Sequence, residues 1–455
     1  MAGTGAAAAV DVAVVGAGPV GTALAILLAQ RGRSVALLER WPEPYPLPRA
    51  VHLDHETARI LQACGLGADL AAITEPAEVY EWRNATGTTL LRFGRKGPGL
   101  SGWPQSSMFN QPALERLLAA RAGALPGIDV LRGREVTALD ADDTGVTVRH
   151  RPTGTGADLA RGEGTEMDAR VTRARYVVGC DGAGSTVRAL MDAPVADLGF
   201  FHDWLIVDVV LHEPRVFDPL NLQVCDPARP STAVSGGPGR RRWEFMRLPG
   251  ERIDDLDREE VAWRFLAPWD VRPDNAMLER HAVYTFQARW AERWRRGRLF
   301  LAGDAAHQMP PFAGQGMCSG LRDGAKLAWK LDMALVGRAG DPVLDSYEAE
   351  RRPDVCAVID FSMQLGKVIC VADPAAADRL DPALADWFGG IGGAVVTVGE
   401  RGDLVDVDGR YDAWFAEHAA VAALQRPDFH LFGTANGEAG PSRLVADLCD
   451  ALGAP

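Results

Sequence analysis

The chain has 455 residues, enough for two or three domains and a large core. Its 47% hydrophobic and 24% charged residues are those of an ordinary globular protein, and a net charge of −13 argues against a bulk binder of nucleic acid or anionic membrane. Seven cysteines without a CxxC or a zinc-like Cys/His spacing predict free thiols, no metal and a cytoplasmic setting. No apolar run reaches about 18 residues and the N-terminus lacks a positive n-region, so neither a membrane span nor a signal peptide is expected. The basic cluster Gly239-Arg240-Arg241-Arg242 reads as a solvated loop.

Val10 to Val15 is a short apolar run of strand type. Gly16-Ala17-Gly18-Pro19-Val20-Gly21 follows as GxGxxG, and Thr22 to Arg31 reads as a helix that Gly32 ends. Ser34 to Leu38 is a second strand, closing at Glu39. Strand, glycine turn, helix, strand and terminal acid form the dinucleotide fingerprint in its required context. Gly16 allows the tight turn, Gly18 lets a pyrophosphate approach, and Gly21 lets helix pack on strand. Glu39 lies roughly 20 residues past the last glycine, where a ribose-binding acid belongs, which suits FAD or NAD.

A Pro- and aromatic-rich loop, Arg40 to Pro48, leads to Arg49, a candidate phosphate or flavin contact. Asp54 to Cys64 reads as a helix capped by Asp54, Pro76 to Phe93 as a hairpin turning at Gly87, and Asn110 to Arg121 as a helix capped by Asn110. Gln111 points toward the nucleotide region if that helix abuts it. Ile128 to Leu131, Val136 to Asp140, Val146 to His150 and Ala169 to Val171 read as strands, and Thr153 to Gly164 as a Gly-rich hairpin loop.

Tyr176 to Gly179 is a buried strand ending in Cys180-Asp181-Gly182, with Gly184, Ser185 and Arg188 opening a helix. Trp204 to His212, Asn221 to Cys225, Ser231 to Ser235, Arg242 to Leu248 and Ala282 to Arg289 form a second, mostly antiparallel sheet, with a helix over Ile253 to Leu266. Trp243 and Phe245 alternate on one face, either lining a pocket or packing in a core. Leu299 to Ala302 is a strand ending at Gly303-Asp304. Pro310 and Pro311 forbid helix, Gly314 and Gly316 allow close backbone approach, and a long helix begins near Gly316. Asp304 is placed to accept hydrogen bonds from a polyol, and the helix start at Gly316-Met317-Cys318 to stabilise negative charge on a reduced ring. Asp341 to Cys370 is helical. Beyond Leu380 come an apolar run (Ala394 to Val398), a helix (Arg410 to Leu424), a strand (Phe429 to Phe432) and a last helix (Ser442 to Leu452).

With GxGxxG and Glu39, Cys180-Asp181-Gly182 and Gly303-Asp304 in that order, the chain resembles the flavoprotein aromatic hydroxylases of the para-hydroxybenzoate hydroxylase fold over roughly residues 10 to 365. Within them it is most similar to the 3-(3-hydroxyphenyl)propionate hydroxylases and related polyketide hydroxylases, through PPFAGQGMCSGLRDGAKLAWKL. The tail resembles that group's thioredoxin-like domain at Gly409 to Phe415 and Arg426-Pro427-Asp428, shortened and without a redox CxxC. The resemblance implies an α/β fold: a Rossmann-like, GR2-type FAD-binding domain (1–190 and 285–365), an inserted antiparallel substrate sheet (191–284, with contributions from 76–110) and a small C-terminal module (380–455). It implies that Gly16, Gly18, Gly21, Glu39 and Arg40 hold the ADP half of FAD, and that Arg49 and Gln111 meet the pyrophosphate or ribityl region. Asp181 belongs to a motif shared by FAD and NAD(P)H, Asp304 holds the ribityl chain, and Pro311, Gly314, Gly316, Met317 and Cys318 line the isoalloxazine. Relatives often carry Asn at Cys318 and at Lys326.

The implied activity is NAD(P)H- and O2-dependent hydroxylation of a small-molecule phenol through a flavin hydroperoxide, the hard chemistry being the cofactor's. The catalytic base is not legible; His202, Gln223 and Tyr284 fall on the substrate side. A homodimer is compatible with the chain. Competing readings are a natural-product hydroxylase or Baeyer–Villiger monooxygenase of the same fold, a dehydrogenase using only the first motif, and a non-catalytic flavin-bound scaffold.

Overall fold

In the computed structural model the described residues are 8–94, 96–153, 169–377, 422–425 and 431–435. The chain divides into two units, residues 1–325 with 348–385 and residues 326–347 with 386–455. The Gly-rich loop after Thr153, the run Ala394 to Val398 and the last helix, Ser442 to Leu452, lie outside the described residues.

The first unit holds two large sheets. One is built around parallel strands in the order Leu299–Leu301, Arg170–Gly179, Ala8–Val15, Val35–Glu39, Ile128–Arg132. The apolar runs at residues 12–15, 35–38, 176–178 and 299–301 are buried, as inner parallel strands require, while Val130 on the edge strand is exposed. Register sets the function of this sheet. Val15 lies opposite Leu38 and Gly179, and Gly179 opposite Leu301, so four strands end level at one edge. GxGxxG, Glu39, Asp181 and Asp304 all follow these ends, where open α/β sheets carry ligands. The helix Pro19–Ala29 starts on Pro19, whose missing N–H costs nothing at a first helical position. A Cβ on Gly16 (φ 103°) would run into the Cys180 carbonyl, and one on Gly21 into the Gly16 carbonyl, so both positions need glycine for backbone contact.

The second sheet has eight strands, dominated by the antiparallel pair Val195–Leu211 and Ala276–Ala291. Both are far longer than the expected Trp204 to His212 and Ala282 to Arg289, because polar and exposed residues continue the pairing beyond the apolar runs. Val79–Asn84 and Thr89–Gly94 complete its far edge. One face packs Leu205, Val207, Trp243 and Phe245 against Val261 and Leu266, each large side chain contributing about 1.5–3 kcal/mol of burial. Trp243 and Phe245 are therefore core. A third, three-stranded sheet joins His52–Asp54, Ser106–Phe109 and Thr74–Pro76.

Several local expectations are corrected. The helix expected over Ile253 to Leu266 is two, Ile253–Leu256 and Glu259–Leu266. Asp257 leaves the helical region to bind His281, and Glu259 and Glu260 then favour a fresh N-terminus. Asp54 caps its helix as expected, accepting from the Thr57 N–H, but the regular helix ends at Leu61. A π-turn with Gly65 at φ 92° follows, and helix resumes over Gly67–Ile73. Ala169 to Val171 and Tyr176 to Gly179 are parts of one strand, Arg170–Gly179. Pro311 starts a single 3₁₀ turn, Pro311–Ala313, before the helix Gly316–Leu335.

In the second unit, Ala422–Gln425 pairs antiparallel with Leu431–Ala435, so residues 422 to 424 are strand rather than the end of a helix. No helix among the described residues is long and apolar enough to cross a membrane.

Candidate active site

At the level sheet edge, Glu39 accepts the Ala17 N–H at 2.7 Å and the Trp41 N–H at 2.9 Å, binding the glycine turn to the second strand. Arg40 stacks on Trp41, 5.2 Å from the ring centroid. Asp181 accepts from Ser185 Oγ at 2.5 Å and the Val187 N–H at 3.1 Å, fixing the short helix Thr186–Leu190. Burial outweighs these hydrogen bonds and raises its carboxyl above the usual range. Asp304, by contrast, is exposed between buried neighbours and faces the cavity below.

The Gly303-Asp304 turn is held from behind by Asp323, a fully buried carboxylate the sequence did not single out. Its Oδ2 accepts the Gly303 N–H at 3.0 Å and lies 2.7 Å from His307 Nε2, while Oδ1 accepts Arg351 Nε at 2.8 Å. Burial alone would raise this carboxyl; the charges of His307 and Arg351 outweigh it and lower it.

The loop from Arg40 to His52 is pinned by buried side chains. Gln111 Oε1 accepts the N–H groups of Arg49 (3.2 Å) and Ala50 (2.6 Å), and its Nε2 donates to Glu115 at 2.6 Å. Arg49 stacks on Tyr45 and reaches Glu115 at 3.7 Å, half of its side chain remaining exposed. Arg242 donates to Asp208 Oδ1 at 2.7 Å and to the carbonyls of Arg49 and Pro48 at 2.6 and 2.9 Å; Arg280 also donates to Pro48. Arg241 and Arg242 are thus buried members of the strand Arg240–Met246, and the solvated-loop reading of this basic cluster is wrong. The signal was present: Arg242 and Glu244 alternate with the core residues Trp243 and Phe245, which assigns them to the opposite face. Glu244 is buried there, and burial raises its carboxyl despite Arg242.

A cavity of about 890 Å³ runs from the glycine turn along this loop to the second sheet. It is lined by Gly16, Gly18, Glu39, Asp181 and Asp304 from the sheet edge, and by Arg49, Gln111, Pro311, Gly314, Gly316 and Met317. Arg40 also lines it. The second sheet contributes Tyr80, Trp82 and Phe93, centroids 6.3–6.4 Å apart with Trp82 edge-on to the other two, and Phe286; Phe312 joins them. Gly21 and Cys318 do not line it: Gly21 serves helix packing, and the Cys318 thiol is buried, donating weakly toward the His52 carbonyl at 3.8 Å. Gln223 and Tyr284 line the cavity, whereas His202 does not and packs on Phe200. The Gln223 amide is spent inside the sheet, on Ser231 O and Thr232 Oγ1. Tyr284 lies under Arg280, whose guanidinium is 4.6 Å from the ring centroid.

The residues fit a flavin dinucleotide. Around Gly18 there is open space where a Cβ would stand, a cradle for a closely approaching group beside a helix N-terminus. A parallel-sheet nucleotide edge joined by one cavity to an aromatic-walled sheet suits an FAD-dependent oxidoreductase. The chain belongs to the FAD binding domain family, whose model matches residues 9–362, and within it to the flavoprotein aromatic hydroxylases. It is 36% identical to a probable NADH-specific resorcinol 4-hydroxylase of Rhodococcus jostii (strain RHA1), over 98% of this chain and 95% of that one. It is 37% identical to a 3-(3-hydroxy-phenyl)propionate/3-hydroxycinnamic acid hydroxylase of Mycobacterium sp. (strain JLS), over 79% of this chain but only 60% of that relative's length. Among solved structures, an anhydrotetracycline hydroxylase from Streptomyces rimosus aligns over 98% of both chains with a TM-score of 0.72 and 25% identity.

Proposed function

We propose that this monooxygenase uses NADH and O2 to hydroxylate a phenol of resorcinol or hydroxyphenylpropionate size. The observation that carries the reading is the single cavity joining the dinucleotide edge to the Tyr80, Trp82 and Phe93 wall. Bound FAD supplies hydride acceptance and oxygen activation. Gly16, Gly18, Glu39 and Arg40 would hold its ADP half, Arg49, Gln111 and Asp181 the region about the pyrophosphate, and Asp304 the ribityl chain. Pro311, Gly314, Gly316 and Met317 would lie along the ring. Cys318 would act only through its backbone.

The aromatic wall orients a flat substrate and keeps water from the reacting carbon. NADH is favoured because a relative aligned over 95% of its length is named a probable NADH-specific hydroxylase. We place the protein in the cytoplasm, where free thiols such as Cys64, Cys180 and Cys318 persist. The parallel sheet carries the cofactor and the antiparallel sheet the substrate.

The likeness to the anhydrotetracycline hydroxylase favours a larger polycyclic substrate as the second reading. Incubating the FAD-loaded protein with NADH, air and either resorcinol or 3-(3-hydroxyphenyl)propionate separates the two. A product heavier by one oxygen supports the small-phenol reading. NADH oxidation stimulated only by polycyclic phenols supports the second.

A further inference from the structure

We propose that Ser106 and His52 form a relay that removes the phenolic proton of the substrate, Ser106 touching the hydroxyl and His52 accepting the proton behind it. This rests on the phenol-hydroxylation reading above. The two residues come together through strand pairing. His52 lies opposite Met108 in an antiparallel pair, which puts Ser106, two residues away, on the same face. All three residues line the cavity.

His52 Nε2 is 2.8 Å from Ser106 Oγ, and Nδ1 is 3.0 Å from the carbonyl oxygen of Gly314. A carbonyl can only accept, so Nδ1 carries the ring proton. In the neutral imidazole Nε2 is then the acceptor, and the Ser106 hydroxyl donates to it. Ser106 Oγ keeps lone pairs for a phenol O–H. Gly314, in the left-handed region at φ 64°, belongs to the loop along which the flavin ring would lie, so the relay would stand beside that ring.

The transfer balances. The phenol O–H bond breaks as Ser106 Oγ takes that proton, and the proton of Ser106 passes to His52 Nε2. A phenolate, an intact serine and an imidazolium result, with no change in oxidation state. The imidazolium donates to Ser106 Oγ and to the Gly314 carbonyl. Asp54, two residues on, is ionised and interacts favourably with a charged His52. Arg322, which pairs with Asp54, opposes that charge, and the Cys318 thiol is neutral, burial and the Asp54 charge pushing it up to about 12. The other candidates lack this arrangement: the Gln223 amide is engaged within the sheet, Tyr284 lies under the Arg280 guanidinium, and His202 is off the cavity.

The test compares FAD-loaded wild type, Ser106→Ala, Ser106→Thr and His52→Asn. Resorcinol is titrated without NADH, and the ultraviolet difference spectrum reports ionisation of the bound phenol. In the wild type, bound resorcinol should ionise below the pH at which free resorcinol does. In Ser106→Ala and His52→Asn its pKa should rise by about one unit or more. Turnover near neutral pH should fall about tenfold or more, recover at high pH where the phenol ionises unaided, and leave KM within a few-fold. Ser106→Thr should keep the wild-type profile. If His52→Asn does not fold, the Ser106→Ala and Ser106→Thr pair decides. A wild-type pKa and pH profile in Ser106→Ala would overturn the relay while leaving hydroxylation standing. A wild type that no phenol stimulates would remove the reading on which the relay rests.

Discussion

Replacing Asp323 by Asn should destabilise the protein and loosen its hold on FAD together. The carboxylate is fully buried, and its partner Arg351 is 3% exposed. It answers three donors: the Gly303 N–H, His307 and Arg351. Asn keeps the shape but loses the charge, and its NH2 group must face at least one of these donors. Breaking one side of a buried pair typically costs about 3–5 kcal/mol. Arg351 also reaches Asp354, at 3.1 Å on the surface, so the low end, about 3 kcal/mol, is expected. Because the Gly303 N–H shares the same oxygen, the turn presenting Asp304 loses its anchor, and FAD affinity should fall by about tenfold, some 1.4 kcal/mol. Urea unfolding of the FAD-free protein measures the first effect and FAD titration the second. Asp304→Asn is the control: its exposed side chain predicts weaker FAD binding with apo stability within about 0.5 kcal/mol. An Asp323→Asn protein less than about 1 kcal/mol weaker, with unchanged FAD affinity, would refute the reasoning.

The glycine motif gives a matched pair of outcomes. Gly18→Ala should fold normally, since its Cβ meets only open space, yet lose FAD at the same position; Gly21→Ala should lose stability in urea, because its Cβ meets backbone. Equal unfolding midpoints for the two would contradict the assignment. For Asp54, burial pushes the carboxyl up, but Arg322 and the Thr57 N–H outweigh it and hold it at about 2. Its folded pKa is thus below the ordinary value of about 3.9, so it contributes about 2 kcal/mol above pH 4 that is lost as pH falls through 2. The stability gap between wild type and Asp54→Asn should therefore narrow between pH 5 and about pH 2.5; a constant gap would contradict this. Burial also pushes the Cys64 thiol up to about 12, as it does Cys318. A thiol reagent at pH 8 should leave both unmodified in the native protein by peptide mass, and rapid labelling of either would be inconsistent with this packing.

The nucleotide half was legible because its signals are local. Turn glycines, a capping Asp54 and short apolar runs each act within a few residues of themselves. Level strand ends then followed from the parallel register without further information. The polar machinery was not legible, because it joins residues far apart. Asp323 meets His307 and Arg351 from different elements, and Arg242 reaches Pro48 and Arg49 nearly two hundred residues away. The basic cluster misled for the same reason: three arginines in a row look solvated until Asp208 and two loop carbonyls are set beside them. Cys318 was expected at the ring because its motif is, but the helix turns its side chain inward toward the His52 carbonyl. His52 and Ser106 carry no spacing signal and meet only through the three-stranded sheet.

The most direct test of the account is to purify the protein, reduce it anaerobically with NADH, and follow flavin bleaching with and without resorcinol, then admit labelled oxygen gas. The protein should be yellow, resorcinol should accelerate its bleaching, and the product should carry one labelled oxygen atom. A colourless protein that FAD cannot restore, or a yellow one that returns only peroxide with every phenol offered, would contradict it.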